Sequence, residues 1–371
     1  MKKSWRNGCF FVGVLLLSGV GWGQSDLPNE VTGGFRFAAN TIILDASPEP
    51  RGLTEGVADD RERALVEGAR KIFSNGSTRA VLLSRKERIF DERYAMGVSK
   101  ESTPLAYSMP KSLVALTVGK ALCDGSIQNL DDKAEIYAPQ LKGTSYGDAS
   151  IRQLLMMTSG AAKSDFTTGH PKPTESFVLR NAFLPRGLDV NVVERMKIHS
   201  GYGSPGVEFN YNNYDTQSLL LVTEGATKVP FSDYFNKVIW APSRPERTGA
   251  WLRNHQLSTV GWMGFSASPR DYLRIGYFII DERKQEGSCF SRYLADATSN
   301  LIMPMPGRGY GYQIHKLSLR LAPDSFWFLG FGGQVIGVDV ISETVVYLYS
   351  MNDSQVPQWV RLISAFMKEA S

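Results

Sequence analysis

The sequence predicts an α+β fold in which one antiparallel sheet, flanked by helices, is built from N-terminal and C-terminal segments of the chain. Strand-like segments cluster near residues 79–94 and again near residues 309–349. Helical periodicity dominates the residues between these two clusters. We therefore expect a mainly helical lobe to be inserted between the two halves of the sheet.

Residues 1–23 have the features of a secretory signal peptide. A basic start precedes an apolar stretch from Phe10 to Val20, and small residues at Gly21 and Gly23 suit a signal peptidase. The apolar stretch falls short of the roughly 20 residues of a membrane span, and an uncleaved anchor remains the alternative. We expect a periplasmic or secreted protein with no stable membrane insertion after cleavage.

The charge balance and the motifs of the sequence restrict the kinds of partner, metal and cofactor that we expect. The 371 residues include 41 basic and 37 acidic side chains, a net charge of +4, and three of these charges lie in the signal peptide, which leaves about +1. This balance argues against nucleic acid as a partner. No CxxC, HExxH or EF-hand pattern occurs, so we predict no metal and no cofactor. Cys123 and Cys289 follow the signal, and both a disulfide and two free thiols remain open.

Along the chain, residues 24–56 are rich in proline and glycine and predict an irregular N-terminal arm. Residues 57–371 predict one domain, with an α/β lobe at about 57–140 and 300–371 and a helical lobe at about 141–299. In the first lobe, a helix near residues 59–73 precedes two strands joined by a turn at Lys86-Glu87.

The most informative stretch is Ser108-Met109-Pro110-Lys111, at the head of a long apolar run that predicts a buried helix. At this spacing, the hydroxyl of Ser108 and the amine of Lys111 share one helix face. A serine becomes a nucleophile when a neighbouring base takes its proton, and a desolvated lysine is such a base. The alternative is a serine cap followed by a solvated lysine.

Two later segments carry candidate partners. Tyr211 and Asn213 are two residues apart, a spacing that lets both side chains point the same way in an extended segment. Near a lysine ammonium, the Tyr211 hydroxyl would have a lowered pKa and could relay a proton. An ordinary polar turn is the alternative, because asparagine favours turns.

The C-terminal segment alternates like a sheet. Gly309–Ile314 predicts one strand, and further strands flank the glycine-rich stretch Phe331-Gly332-Gly333-Gln334. Glycine in a sheet often marks close approach of a ligand, and a backbone N–H there could join that of Ser108 in an oxyanion hole. A glycine bulge is the alternative.

The order of these segments resembles the serine β-lactamase and penicillin-binding-protein superfamily, in particular class C β-lactamases, related esterases and 6-aminohexanoate-dimer hydrolases. The stretches Ile151–Gly160 and Gly261–Asp271 are also similar to this superfamily. The resemblance extends over roughly residues 75–370.

The resemblance implies a β-lactamase/transpeptidase-like fold and hydrolysis through an acyl-enzyme. It implies Ser108 as the nucleophile, Lys111 as its proton acceptor and Tyr211 as the general acid and base. It further implies that Asn213, Gly333 and Gln334 bind the substrate, with Gln334 near the second oxyanion N–H.

The third motif departs from the superfamily pattern, because Phe331 stands where lysine or histidine usually begins it. That cation helps to hold a substrate carboxylate, so its absence favours a neutral small-molecule ester or amide, with esterase activity first. A true β-lactamase or D-alanyl peptidase, and a catalytically silent member that binds cell-wall peptide, remain the alternatives. No G-x-S-x-G elbow is present, and the histidines, including His315, lie in no recognisable motif.

Overall fold

The computed structural model describes residues 41–74, 76–162, 192–201, 203–254, 256–350 and 352–370. The predicted signal peptide and the start of the predicted arm lie outside the described residues, as does part of the predicted helical lobe. In the described part of the chain, no helix combines the length and the apolar character needed to span a bilayer.

Two sheets form the β structure. The larger has nine strands in the order β2-β4-β3-β12-β11-β10-β9-β8-β7, and the smaller has the order β1-β5-β6. The strands are β1 Thr41–Leu44, β2 Thr54–Glu55, β3 Thr78–Arg85, β4 Arg88–Tyr94, β5 Gly249–Leu252, β6 Phe265–Ser266, β7 Ile302–Met305, β8 Arg308–Gly311, β9 Ile314–Lys316, β10 Ser325–Gly330, β11 Gln334–Asp339 and β12 Thr344–Ser350.

The pairing of β3 with β12 joins the N-terminal hairpin to the C-terminal strands in one antiparallel sheet. This confirms the predicted α+β fold.

Helices make up most of the remaining regular structure of the described residues. They are α1 Asp60–Ser74, α2 Pro110–Cys123, α3 Ala134–Tyr137, α4 Ser145–Asp148, α5 Ile151–Leu155, α6 Val192–Ile198, α7 Asn213–Thr227, α8 Phe231–Phe235, α9 Ala241–Ser243, α10 Pro269–Lys284, α11 Cys289–Ser299 and α12 Val356–Ala370. Short 3₁₀ turns lie at Pro139–Leu141 and Asp353–Gln355, and a π-helical turn lies at Asn236–Trp240.

The large sheet is covered on both faces. Leu65 of α1 and Trp359 of α12 belong to a core on one face, and α10 packs on the other. A Cβ atom placed on Gly276 of α10 would lie 2.4 Å from Val345 of β12, so only glycine permits this close approach. α10 therefore packs on the sheet, although it falls within the predicted helical lobe.

The irregular arm was predicted incorrectly at two places. Thr41–Leu44 forms a strand that pairs with β5, and Thr54–Glu55 forms a strand that pairs with β4. The predicted helical lobe likewise contains the short strands β5 and β6. β1 finds its partner at Leu252, far along the chain, and such a distant pairing leaves no local periodicity in the sequence.

The predicted strand Gly309–Ile314 is wrong as a continuous element, because it folds back on itself. Gly311 pairs with Ile314, and the two residues between them, Tyr312 and Gln313, have φ angles of 44° and 58°. Two-residue hairpin turns of this kind favour glycine and asparagine, and neither residue stands here. The sequence therefore gave no turn signal.

Helix α2 lies in the centre of the molecule. Eleven of its 14 residues are buried, as its apolar sequence predicts. Its last residue, Cys123, forms a disulfide with Cys289, the first residue of α11. The bond decides between the two options that the sequence left open, and it ties the far end of α2 to the helix packed beside it.

Candidate active site

Ser108 and Lys111 lie together at the start of α2. The Lys111 ammonium Nζ is 3.0 Å from Ser108 Oγ and 3.1 Å from the Trp262 carbonyl oxygen. The helix itself begins at Pro110, so Ser108 belongs to the preceding turn rather than to the first helical turn. A backbone hydrogen bond from Lys111 N–H to Ser108 O, 3.2 Å long, continues the helical spacing through this turn.

Burial lowers the pKa of Lys111, which allows the amine to act as a base. Its side chain is 1% exposed, and desolvation lowers its pKa from 10.5 to about 7. Near neutral pH a large fraction of the amine is therefore uncharged and able to accept a proton. The carbonyl oxygen of Trp262 holds the amine in place.

The residue before Ser108 is conformationally unusual. Tyr107 has a φ of 48°, in the left-handed region that side chains other than glycine avoid. Its ring contacts Phe331 edge-on at 5.9 Å. Strained backbone at such a position is typical of functional sites, and here it directs the turn that presents Ser108.

Tyr211 is a second residue that contacts the Ser108 hydroxyl. Its side chain hydrogen bonds with Ser108, and its ring lies 5.0 Å from Lys111 Nζ. Burial raises its pKa to about 12, and the bond with Ser108 opposes this rise only in part. The lowered pKa expected from the sequence is thus wrong, because desolvation outweighs the field of a lysine that is itself partly neutral. Tyr211 is a neutral phenol able to donate a proton.

The segment around Tyr211 is fastened to the residues after α5. Asn210 N–H donates to the Met157 carbonyl at 2.8 Å, and the Asn210 amide donates to the carbonyls of Ala161 and Ala162. Asn212 then caps α7 by accepting from Tyr214 N–H at 2.8 Å. Asn213 is the first residue of α7 and lines the cleft.

The glycine-rich stretch is a hairpin turn between β10 and β11 rather than a strand. Gly330 pairs with Gln334, and Gly333 N–H donates to the Gly330 carbonyl at 3.2 Å. Asp353 accepts hydrogen bonds from the backbone of Gly332 and Gly333, and burial raises the pKa of its carboxyl group. The turn is thereby fixed, and the Gly333 N–H is already in use.

The structure places Gly333 and Gln334, the two residues of this stretch predicted to bind substrate, in different surroundings. Gly333 packs against Ser350 and does not line the cleft. Gln334 lines the cleft, but its amide donates to the Ser350 carbonyl at 2.8 Å and its backbone pairs with Gly330.

Phe331 lines the cleft. Its N–H comes directly after Gly330, the last paired residue of β10. Neither this N–H nor that of Ser108 donates to another backbone group of the described residues. The end of β10 lies close to the nucleophile turn, since a Cβ on Gly330 would be 2.2 Å from the Ala106 carbonyl oxygen.

These groups share one cavity of about 730 Å³. Most of its wall is apolar or aromatic, and it includes the predicted residues Ser108, Tyr211, Asn213 and Gln334. The lining residues are Tyr107, Ser108, Tyr211, Asn213, Trp262, Met263, Arg308, His315, Leu329, Gly330, Phe331, Gln334, Asp353, Val356 and Pro357.

Sequence reasoning missed several of these residues. Trp262 contributes a backbone carbonyl, which leaves no residue-type signal. Arg308 and His315 reach the cleft through the β8–β9 hairpin, whose turn the sequence did not reveal.

With the geometry established, comparison with known proteins places the chain in a family. The family model described as Beta-lactamase matches residues 76–359, well over half of the chain. The chain belongs to the β-lactamase family. No curated protein sequence matches it.

Solved structures share the fold at low sequence identity. A protein proposed to be a 6-aminohexanoate-dimer hydrolase from Bacillus anthracis is similar with a TM-score of 0.74 and 18% identity, over 89% of each chain. EstCE1, described as a hydrolase with promiscuous acyltransferase activity, has a TM-score of 0.62 and 14% identity over 83% of this chain and 98% of its own. A class C β-lactamase has a TM-score of 0.60 and 13% identity over 85% and 97%.

Proposed function

We propose that this β-lactamase-family protein is an exported serine hydrolase that acts on carboxylic esters, and more slowly on amides, through an acyl-enzyme. The observation that carries the proposal is the 3.0 Å contact between Ser108 Oγ and a buried Lys111 whose pKa lies near 7. A nucleophile and a matched base in contact are the signature of covalent catalysis.

The first half-reaction acylates Ser108. Lys111 takes the Ser108 proton as the oxygen attacks the substrate carbonyl carbon, and the negative charge develops on the carbonyl oxygen. As the carbon–oxygen bond to the leaving group breaks, Tyr211 donates its proton to the departing alkoxide and recovers one from Lys111. Water then attacks the acyl-enzyme, and the carboxylic acid and the Ser108 hydroxyl are released.

The backbone N–H groups of Ser108 and Phe331 are the donors proposed for the oxyanion. Ser108 precedes the N-terminus of α2, where the helix dipole also favours negative charge. The turn that carries Phe331 is fixed by Asp353, so this donor is positioned before the substrate arrives.

The aromatic and apolar wall favours neutral, hydrophobic acyl groups. Leu329, Gly330 and Phe331 line the cleft in the third-motif region and supply no cation there, whereas Arg308 lines the cleft from β8. Ester hydrolysis therefore ranks above β-lactam and D-alanyl peptide hydrolysis, although the structural relatives include a D-alanine carboxypeptidase. Export is consistent with the Cys123–Cys289 disulfide, since such bonds persist in oxidising compartments.

Turnover of p-nitrophenyl acetate and nitrocefin by the wild type and by Ser108→Ala tests the proposal. We expect ester turnover that requires Ser108 and little or no nitrocefin hydrolysis. Ester turnover no faster than that of Ser108→Ala would reject the enzyme and favour a silent peptide-binding member. Efficient nitrocefin hydrolysis would instead reverse the substrate ranking.

A further inference from the structure

His315 is a polar group of the cleft to which the proposed chemistry gives no role. It lies on β9 and lines the same cavity as Ser108 and Tyr211. Its neighbours in sequence, Ile314 and Lys316, are buried, while His315 itself is half-buried. Its imidazole packs edge-on against Tyr310 at 4.8 Å and lies 6.5 Å from the Tyr211 ring.

The position of His315 is fixed by the strained turn that precedes it. Gln313 anchors this turn: its carbonyl accepts from Ser112 Oγ at 2.6 Å, and its side-chain oxygen accepts from Thr216 Oγ1 at 2.9 Å. Its N–H donates to Leu155 O at 3.0 Å, and its side-chain amide donates to Leu154 O at 3.2 Å.

Ser112 follows Lys111 on α2, so these bonds tie β9 to the helix that carries the lysine base. Strain that is held this firmly beside a reactive serine is characteristic of a functional position.

His315 is uncharged at neutral pH. Burial, with the nearby cations Lys111 and Arg308, lowers its pKa to about 3. The two phenols whose rings contact it, Tyr211 and Tyr310, stay neutral because burial raises their pKa values. A neutral imidazole has one acceptor nitrogen and one N–H donor. Such a weak base is unsuited to removing a proton from water but well suited to accepting a hydrogen bond.

Among the described residues, none hydrogen bonds with the His315 side chain, and the buried side-chain oxygen of Gln334 is a second cleft acceptor without a partner. Two further acceptors of the cleft are engaged. The Trp262 carbonyl accepts from Lys111, and Asp353 accepts from the Gly332 and Gly333 backbone. When a substrate displaces water from this apolar cleft, an imidazole left without a partner would weaken binding.

We propose that His315 is a specificity-determining residue that accepts a hydrogen bond from a neutral O–H or N–H donor in the acyl part of the substrate. The inference rests on the proposed function and narrows it to hydroxyacyl or amidoacyl esters and amides. Ammonium groups are disfavoured as the donor, because Lys111 and Arg308 face the same imidazole.

Paired p-nitrophenyl esters test this inference. The 3-hydroxybutanoate and 3-methylbutanoate esters differ by hydroxyl against methyl, and the N-acetylglycinate and 4-oxopentanoate esters differ by N–H against CH₂. The ratio of kcat/KM within each pair is compared between the wild type and His315→Phe, which keeps a ring against Tyr310 but has no nitrogen. Intrinsic reactivity of the esters cancels in this comparison.

We expect His315→Phe to lower the donor-to-isostere ratio by about tenfold in at least one pair, the value of one good hydrogen bond. The pair that responds identifies O–H or N–H as the donor. Turnover of the isostere ester should stay within about threefold of wild type, which also shows that the variant is folded. His315→Asn, which restores an acceptor, should recover at least threefold of the preference.

A control variant, His199→Phe, removes a half-buried histidine ring that packs at 5.4 Å on Tyr214 and does not line the cleft. It should leave both ratios unchanged. Unchanged ratios in His315→Phe, or an equal loss on both members of each pair, would overturn the inference while leaving the Ser108 mechanism intact. Turnover by Ser108→Ala at the wild-type rate would instead overturn the proposed function and the inference with it.

Discussion

Helix α2 and the β8–β9 hairpin both contribute to the cleft, and they are built by different physical means. The helix contributes Lys111 and the turn before it contributes Ser108, and the positions of both follow from local backbone spacing. The hairpin contributes His315, whose position depends on a turn with two residues of positive φ held by side chains from elsewhere in the chain.

A second turn of the same geometry makes the contrast sharper. Lys86 and Glu87 join β3 to β4 with φ angles of 50° and 61°, and Lys86 is exposed to solvent. Tyr312 and Gln313 have similar angles but are buried. The exposed turn is held by backbone hydrogen bonds from Lys86 N–H to Glu343 O and from Thr54 N–H to Glu87 O. The buried turn is held by side-chain hydrogen bonds from α2 and α7, so it depends on core side chains.

The largest expected effect is the loss of turnover when Lys111 of α2 is replaced. Lys111→Met should lower kcat/KM for p-nitrophenyl acetate by about a thousandfold, because Ser108 loses its proton acceptor. Thermal stability should not fall, since a buried amine is removed. Between pH 7 and 10.5 the unfolded chain binds more protons at Lys111 than the folded one, so wild-type stability should rise with pH relative to this variant.

Lys120→Met is the matched control on the same helix. Lys120 pairs with Glu282 at 2.8 Å and does not line the cleft, so this variant should keep turnover within about twofold of the wild type. Equal losses of turnover in the two variants would mean that Lys111 supports the helix rather than the reaction.

The next largest effect is the loss of stability when the disulfide at the far end of α2 is reduced. Reducing the Cys123–Cys289 disulfide, which spans 166 residues, should lower the free energy of unfolding by about 2–5 kcal/mol. Urea unfolding with and without reductant measures this loss, and a Cys123→Ala/Cys289→Ala variant that no longer responds to reductant is the control. Identical wild-type midpoints in both conditions would contradict a stabilising role.

A substitution in the β8–β9 hairpin should have a smaller effect on stability. Gln313→Ala should lower the free energy of unfolding by about 2 kcal/mol, because it leaves the Thr216 hydroxyl and the Leu154 carbonyl without partners in the core. Lys86→Ala makes the same type of change in the exposed turn and should stay within about 0.5 kcal/mol of the wild type. Similar urea midpoints for the two variants would remove the distinction between the turns.

The same contrast explains what could be predicted from the sequence. Ser108 and Lys111 were found because a three-residue spacing acts through local geometry, and the Lys86-Glu87 turn was found because polar residues separate two apolar strands. The Tyr312-Gln313 turn was missed because its stability comes from Ser112, Thr216 and Leu154 rather than from its own residues.

The position of the glycine-rich stretch Phe331-Gly332-Gly333-Gln334 in the cleft was predicted only approximately. The glycine-rich stretch lies beside Ser108 as expected, but its glycines form a turn, and Phe331 rather than Gly333 lines the cleft. Hydrogen-bond direction depends on strand register, which the pairing of Gly330 with Gln334 sets and which composition does not reveal. The carbonyl of Trp262 was missed because a backbone group leaves no residue-type signal.

The central claim is that Lys111, with a pKa near 7, activates Ser108. The rate at which a fluorophosphonate labels Ser108, followed by peptide mapping from pH 5 to 9, tests it most directly. We expect a rate that rises with pH through a midpoint near 7 as Lys111 loses its proton, and labelling at least a hundredfold slower in Lys111→Met. A rate independent of pH, or equal labelling of the wild type and Lys111→Met, would contradict it.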